Sequence, residues 1–322
     1  MMNPIVVLGG TGFVGNALVT RLAQDGHRLR VLTRNAARAK SLAVLPNVEI
    51  VTANVHDSVV LSRQFAGAEV VINLVGILNE SGRSGAGFMR AHAELARKVV
   101  DAAAARNVAR LLHMSSLGAD AQQGPSFYLR SKGVAEQHLR SAPESLAWTA
   151  FRPSVIFGPG DSFVLRFASL LALTQGWIPL ARPKTRFAPV YVGDVVEAFA
   201  RCLPGGSHAD VSRRQTFELC GPDVLTLTDI VRYAGEVSGT PAHIIPLPDA
   251  IARLQGFVMD FVPGKPFSSD NYRSLLQDSL CREPGCARLG ITPASMRAIV
   301  PGYLGRGRRG ENLNRFRSVA GR

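Results

Sequence analysis

Near the start of the chain the apolar run Ile5-Val6-Val7-Leu8 passes directly into Gly9-Gly10-Thr11-Gly12-Phe13-Val14-Gly15. Few patterns restrict a fold so tightly. Gly9 permits a sharp turn out of a strand, Gly12 lets backbone approach a pyrophosphate, and Gly15 lets the following helix lie close to the strand. The free N–H groups and positive dipole end of that helix then face phosphate. Thr11, Phe13 and Val14 share the turn and join the three glycines as predicted cofactor contacts.

The rest of the N-terminal half repeats the theme. Short apolar runs at 5–8, 28–32, 48–51, 70–74 and 111–114 alternate with helical patterns beginning near Gly12, Val59, Phe88 and Tyr128. Such alternation implies a parallel sheet with right-handed crossovers. A further strand is expected over 148–157, a helix over 163–173 and a loop over 177–189. A helix at 195–202 with Asp194 as its N-cap, a strand at 216–220 and a helix opened by Thr226 and Asp229 complete the pattern. The expected fold is α/β: a Rossmann-type doubly wound parallel sheet with a smaller C-terminal α/β lobe. Residues 1–160 form the NAD(P)-binding domain, with 188–205 returning to it. Residues 161–187 and 206–304 form a substrate or partner lobe, and 305–322 a basic disordered tail.

Composition narrows the class. With 46% hydrophobic and 19% charged residues, the 322-residue chain is no disordered polyelectrolyte. Four cysteines are too few for a disulfide scaffold, and Cys281 and Cys286 lack a second pair at zinc spacing, so no metal site is expected. No signal or transit segment is expected before the strand at Ile5, and no stretch reads as a membrane span. A cytoplasmic bacterial protein is the default. The net charge of +13 asks for an anionic partner. It is uneven: Arg21, Arg28, Arg30, Arg34, Arg38 and Lys40 face only Asp25 in residues 1–46, and the segment 301–322 is similarly basic. One cluster surrounds the predicted cofactor phosphate. The other is an Arg-Gly tail whose single aromatic, Phe316, argues against base stacking, so nucleic acid is not the expected partner.

The second strand decides the cofactor. An NAD site places Asp or Glu about 20 residues after the glycines. Here Thr33 is followed by Arg34, with Arg38 beyond, and a guanidinium suits a 2′-phosphate. NADP(H) is therefore preferred, with NAD(H) as the alternative. Asn54, Val55 and Asp57 after the third strand frame the adenine. Leu74, Val75 and Gly76 after the fourth run beside ribose and pyrophosphate, and Pro153 and Val155 complete the contacts.

Ser116 follows the fifth strand, and Tyr128-Leu129-Arg130-Ser131-Lys132 comes twelve residues later. On a helix, Tyr128 and Lys132 lie one turn apart on one face. Lys132 is expected to lower the Tyr128 pKa, with Ser116 holding the substrate oxygen for hydride transfer. The alternative is a tyrosine that packs and a lysine that touches only the nicotinamide ribose.

These residues, with Phe151-Arg152-Pro153-Ser154-Val155-Ile156-Phe157-Gly158-Pro159-Gly160-Asp161, resemble the extended and atypical short-chain dehydrogenase/reductases. The segments 186–195, 247–248 and 263–267 resemble bacterial relatives of the NAD(P)H-binding alpha-subcomplex accessory subunit of respiratory complex I. The resemblance covers residues 3 to about 304. It implies a Rossmann domain, a smaller lobe, tightly held NADPH, and a link to ubiquinone or respiratory metabolism. Asn54 departs from the acidic residue of extended members, and His92 stands where many carry Asn.

Three readings are open: an NADP(H)-dependent oxidoreductase on a carbonyl or alcohol; a nucleotide-bound structural or assembly subunit of a respiratory or ubiquinone-synthesis complex; and an NAD-dependent sugar-nucleotide epimerase or dehydratase. The substrate is a small molecule of unknown identity. A protein complex, or peripheral contact with the inner membrane, is the further partner expected. His92 is expected to be a packed residue, Arg152 to shape the strand end, and Arg182, Lys184 and Arg186 to lie in a loop near the pocket. The amphipathic stretch 251–261 is expected in a core or lobe interface.

Overall fold

Runs of Val, Ile and Leu without polar alternation need burial on both faces, which a parallel sheet between two helix layers provides. In the computed structural model, which describes residues 3–263 and 265–305, six strands form this way. They are β1 (Ile5–Leu8), β2 (Leu29–Thr33), β3 (Val48–Thr52), β4 (Val70–Asn73), β5 (Arg110–Met114) and β6 (Ala147–Pro153). Between them stand α1 (Phe13–Gln24), α2 (Ser58–Phe65), α3 (Ala86–Phe88), α4 (Leu95–Ala105) and α5 (Phe127–Arg140). A π-helical turn, Met89–Glu94, joins α3 to α4. The sheet order is β3-β2-β1-β4-β5-β6, with every neighbour parallel. The strand order reverses between β1 and β4, the switch point where such sheets bind ligands beyond their C-terminal ends.

The chain beyond β6 departs from expectation in instructive ways. The single strand expected over 148–157 is two. β6 stops at Pro153, and β7 (Ile156–Phe157) leaves the main sheet to pair elsewhere. The stretch read as loop contains β8 (Trp177–Ala181) and β9 (Arg186–Phe187), separated by α6 (Val164–Leu173) from β7. Pro179 hid β8, because a proline argues against a strand, yet here it lies exposed in a two-stranded ribbon where its missing N–H costs little. β10 (Val190–Tyr191) pairs with β7 and runs straight into α7 (Val192–Arg201). That helix therefore starts earlier than expected. Asp194 is not its N-cap but accepts the Ala294 N–H at 2.8 Å, tying down the C-terminal segment.

β11 (Gln215–Leu219), assigned by sequence to the lobe, pairs with β6 as the seventh strand of the main sheet. β12 (Leu225–Thr226) pairs with β9, and Thr226 opens α8 (Leu227–Ser238) through a complete capping box with Asp229. β13 (His243–Leu247) pairs with β8, followed by α9 (Asp249–Met259) and α10 (Ser269–Ser274). Of the expected basic tail, 305–322, all but Gly305 lies outside the described residues.

Three larger cores result. One packs α1 and α7 against one face of the sheet, including Leu18, Leu22, Phe151 and Phe199. A second packs α2, α4 and α5 on the other, including Leu61, Phe65, Val99 and Leu139. The third fills the lobe between α6, α8 and the small ribbons, around Phe157, Leu171 and Ile230. No helix among the described residues is long and apolar enough to cross a membrane.

Candidate functional site

Every predicted contact falls at or just beyond the C-terminal end of a parallel strand, or on the helix after it. The glycine turn is the tightest part. Gly9 has φ +78°, and a Cβ there would stand 2.9 Å from the Leu74 carbonyl carbon and 3.0 Å from the Val75 nitrogen. The loops after β1 and β4 therefore touch backbone to backbone at the switch point. A Cβ on Gly15 would come 2.3 Å from the Gly9 oxygen, so only glycine admits this closeness of helix and turn. Gly12 stands at the N-cap with no side-chain cap and no acid in the first turn, leaving the α1 N–H groups of Phe13, Val14 and their neighbours open to an anion. Thr11 lies half-buried in the same turn. The cradle fits a dinucleotide pyrophosphate.

Thr33, Arg34 and Arg38 follow β2. The Thr33 hydroxyl accepts the Asn35 N–H at 3.2 Å and shapes the bend, while both arginines are exposed. Asn54 accepts the His56 N–H, Val55 is buried, and Asp57 caps α2. His56 is held below its ordinary pKa by burial first, then by the charges of Arg90, Lys98 and Arg34. These three cations thus gather around His56 beyond β3, with Glu94 opposing them. Arg90 was missed by the sequence reading, because its helix begins far from the glycine turn in sequence.

At the other end, β5 delivers Ser116 and α5 delivers Tyr128 and Lys132. The Ser116 hydroxyl donates to the Leu117 carbonyl at 3.3 Å and lies close enough to the Tyr128 phenol to favour its ionised form. Lys132 is buried and donates from Nζ to the Met114 carbonyl at 2.9 Å. Above it lies Gly76, whose added Cβ would stand 3.4 Å from Lys132 Nζ and 3.7 Å from His92 Nε2. The expected lowering of the Tyr128 pKa by Lys132 is not what this geometry gives. Burial raises the phenol, only Ser116 opposes it, and the ammonium is occupied by a carbonyl. Lys132 itself is lowered to about 8 by burial, with the Glu136 charge pulling back. Pro153 is buried at the end of β6, and Val155 packs on the lobe core.

The surrounding shell was only partly legible. Glu136 is buried one turn after Lys132. It accepts from Ser115 Oγ at 2.6 Å, from Arg152 at 2.7 and 2.6 Å, and from Arg140 at 2.8 Å. Arg152 thus holds the strand end through Glu136. His92 is packed, as expected. Ser131 Oγ donates to the Tyr128 carbonyl at 2.7 Å, so His92 Nδ1 donates to Ser131 at 2.8 Å and Nε2 accepts the Ile77 N–H at 3.0 Å. Its ring meets Tyr128 edge-on with centroids 5.4 Å apart. Burial, with Lys132 next, pushes His92 down to about 2, so it stays neutral. Asp270 on α10 was not foreseen. Its carboxylate accepts the Phe127 and Tyr128 N–H groups at 2.7 and 3.1 Å, closing the N-terminus of α5 from 142 residues away. Arg182 and Arg186 pair with Asp249 and Asp278, so neither points freely at a ligand. Cys220 and Cys281 form a disulfide that pins the segment after α10 to the end of β11.

A glycine cradle at the switch point and a Ser-Tyr-Lys set at the next loops define a nicotinamide-dinucleotide-binding protein. Two family models agree: NAD(P)H-binding over residues 9–161, and 3-beta hydroxysteroid dehydrogenase/isomerase over residues 120–203. The chain is 34% identical to a ceramide reductase of Caulobacter vibrioides, over 80% of this chain and 77% of that one. It is 30% identical to the mitochondrial NADH dehydrogenase [ubiquinone] 1 alpha subcomplex subunit 9 of Arabidopsis thaliana, over 85% and 70%. In fold it matches a UDP-glucose 4-epimerase of Thermotoga maritima with TM-score 0.73 at 18% identity, over 95% and 99% of the two chains. The protein belongs to the NAD(P)H-binding, extended short-chain dehydrogenase/reductase family.

Proposed function

We propose that the protein is an NADP(H)-dependent reductase of a carbonyl on a lipid-like substrate, acting through Ser116, Tyr128 and Lys132. The observation that carries the reading is the gathering of Ser116 after β5, Tyr128 on α5 and, one helical turn on, a buried Lys132 against the loop after β4, whose Gly76 would place a Cβ 3.4 Å from Lys132 Nζ. Similarity to a ceramide reductase suggests the substrate class. Arg34 and Arg38, exposed after β2 with no acid beside them, favour the 2′-phosphate of NADP(H) over the bare ribose of NAD(H).

When bound, the nicotinamide supplies or takes up the hydride. The rest of the work falls to the chain. Ser116 Oγ donates to the substrate carbonyl oxygen and fixes its position. Tyr128, kept as a phenol by burial, gives its proton to that oxygen as negative charge develops. Lys132 fixes the end of β5 through the Met114 carbonyl and would set its positive charge beside the ribose of a bound nicotinamide nucleotide.

The second reading is a nucleotide-bound subunit of a respiratory assembly, at the membrane periphery. It is favoured by the relation to the alpha-subcomplex subunit and by Lys132 bonding a carbonyl rather than Tyr128. The Tyr128→Phe variant separates the two. On the first reading, reduction of a ceramide-type ketone with NADPH falls about 10²-fold or more, while NADPH binding by fluorescence titration is retained. Unchanged turnover, or full complementation of the cellular role by the variant, overturns catalysis and leaves the structural reading.

A further inference from the structure

Helix α9 faces the wrong way for a core helix. Its inward residues are small: Ala252 is fully buried, and a Cβ on Gly256 would stand 3.2 Å from the Ser269 Cα, so the helix rests closely on α10. Its large apolar residues point out. On the helix Leu254 is 60% and Phe257 52% exposed, with Ile251 and Val258 exposed as well, and in the turn that follows Phe261 is 63% exposed beside an exposed Val262. The stretch expected in an interior interface is an apolar surface, and a contiguous patch of this kind marks an interaction site.

Its charges are arranged to match. The acids of the helix are engaged within the fold: Asp249 pairs with Arg182, and Asp260 accepts the Ser269 N–H. The cation is not. The Arg83 guanidinium lies 4.4 Å over the Phe261 ring and 5.6 Å over Phe257, and no carboxylate pairs with it among the described residues. An apolar ridge bearing an unneutralised arginine among its aromatic rings suits the interface of an anionic bilayer, where side chains enter the acyl boundary and guanidinium meets phosphate.

The ridge also adjoins the site. Arg83 belongs to the loop after β4, the loop that carries Gly76. Lys265 clamps that loop to α9, donating from Nζ to the Gly82 carbonyl at 2.6 Å and accepting from Asn79 Nδ2 at its own carbonyl. Exposed Leu78, whose carbonyl accepts from Asn271, continues the apolar surface toward the Tyr128 side.

We infer that α9 and the loop after β4 dock on an anionic phospholipid surface, turning the mouth of the Tyr128 site toward the bilayer so that an amphiphilic substrate enters from the lipid. The substrate part of this inference rests on the reductase reading; the docking does not. The test is co-sedimentation of the full chain with phosphatidylcholine vesicles, with and without phosphatidylglycerol. Binding is expected with phosphatidylglycerol. The exposed triple variant Leu254→Ser, Phe257→Ser, Phe261→Ser should partition about tenfold or more weakly, and Arg83→Ala should narrow the preference for the anionic lipid relative to the parent. Since both carry the same C-terminal tail as the parent, any tail contribution cancels. Equal vesicle binding by parent and triple variant overturns the inference. So does a dimer, by analytical ultracentrifugation, that the triple variant dissociates while neither form binds vesicles. A detergent-dispersed ceramide-type ketone tests the other part: turnover without vesicle binding sinks docking alone, and vesicle binding without turnover sinks the reductase alone.

Discussion

Two histidines near the site are buried as neutral rings. His113 on β5 accepts from Asn73 Nδ2 at 3.2 Å, and burial, with Lys132 next, lowers it to about 3; His92 is lowered to about 2. In the unfolded chain both take up protons as pH falls through their ordinary value of 6.5, whereas the folded chain leaves them neutral. Stability is therefore lost on acidification from about pH 6.5 toward pH 3, each ring contributing up to about 1.4 kcal/mol per pH unit. Thermal unfolding scanned over that range should show the loss, and His113→Gln should flatten it. A slope unchanged by the substitution refutes the assignment. Ser116, Tyr128 and Lys132 were legible as residues, but the ordering among them was not. Lys132 was expected to act on the Tyr128 phenol, and its amine instead meets a carbonyl of β5.

Among the elements, α5 is held at its start by groups both near and distant in sequence. Ser126 caps it locally, accepting the Leu129 N–H, while Asp270 takes the two N–H groups of the first turn. A carboxylate at a helix N-terminus also meets the positive dipole end. Asp270→Asn keeps one acceptor and loses the charge, so it should cost about 1–2 kcal/mol in urea unfolding and lower turnover more than NADPH affinity. An equal loss in both kinetic terms would place the effect elsewhere. The glycine turn was readable because its spacing encodes local geometry. The capping box at Thr226 was readable for the same reason. Asp270 was not, because no local pattern relates a short helix at 269–274 to one that begins at 127. The strand at 177–181 was obscured by Pro179, whose tolerance depends on which edge of the ribbon it occupies.

Across the whole molecule, the parallel sheet gathers loops from β1 to β6 along one edge, and charge is distributed to suit that layout. Arg34 comes from the loop after β2, and Arg90 and Lys98 from the helical stretch that runs through the π-turn into α4, yet all three act on His56. If they receive a 2′-phosphate, Arg34→Ala should weaken NADPH binding about tenfold while NADH changes little, measured by titration of each cofactor. An unchanged preference refutes that role, as does release of NAD(H) rather than NADP(H) from the denatured protein. The sequence by itself determined the Rossmann order, the glycine cradle and the residues that meet beyond the strands, because strand burial and turn geometry are local and repeat with a short period. The tertiary structure alone decided that β11 joins the main sheet, that Glu136 binds Arg152, that Asp270 closes α5, and that α9 turns its leucine and phenylalanine outward. Those outcomes depend on which surfaces meet across distant segments, and an amphipathic period names an apolar face without naming what covers it.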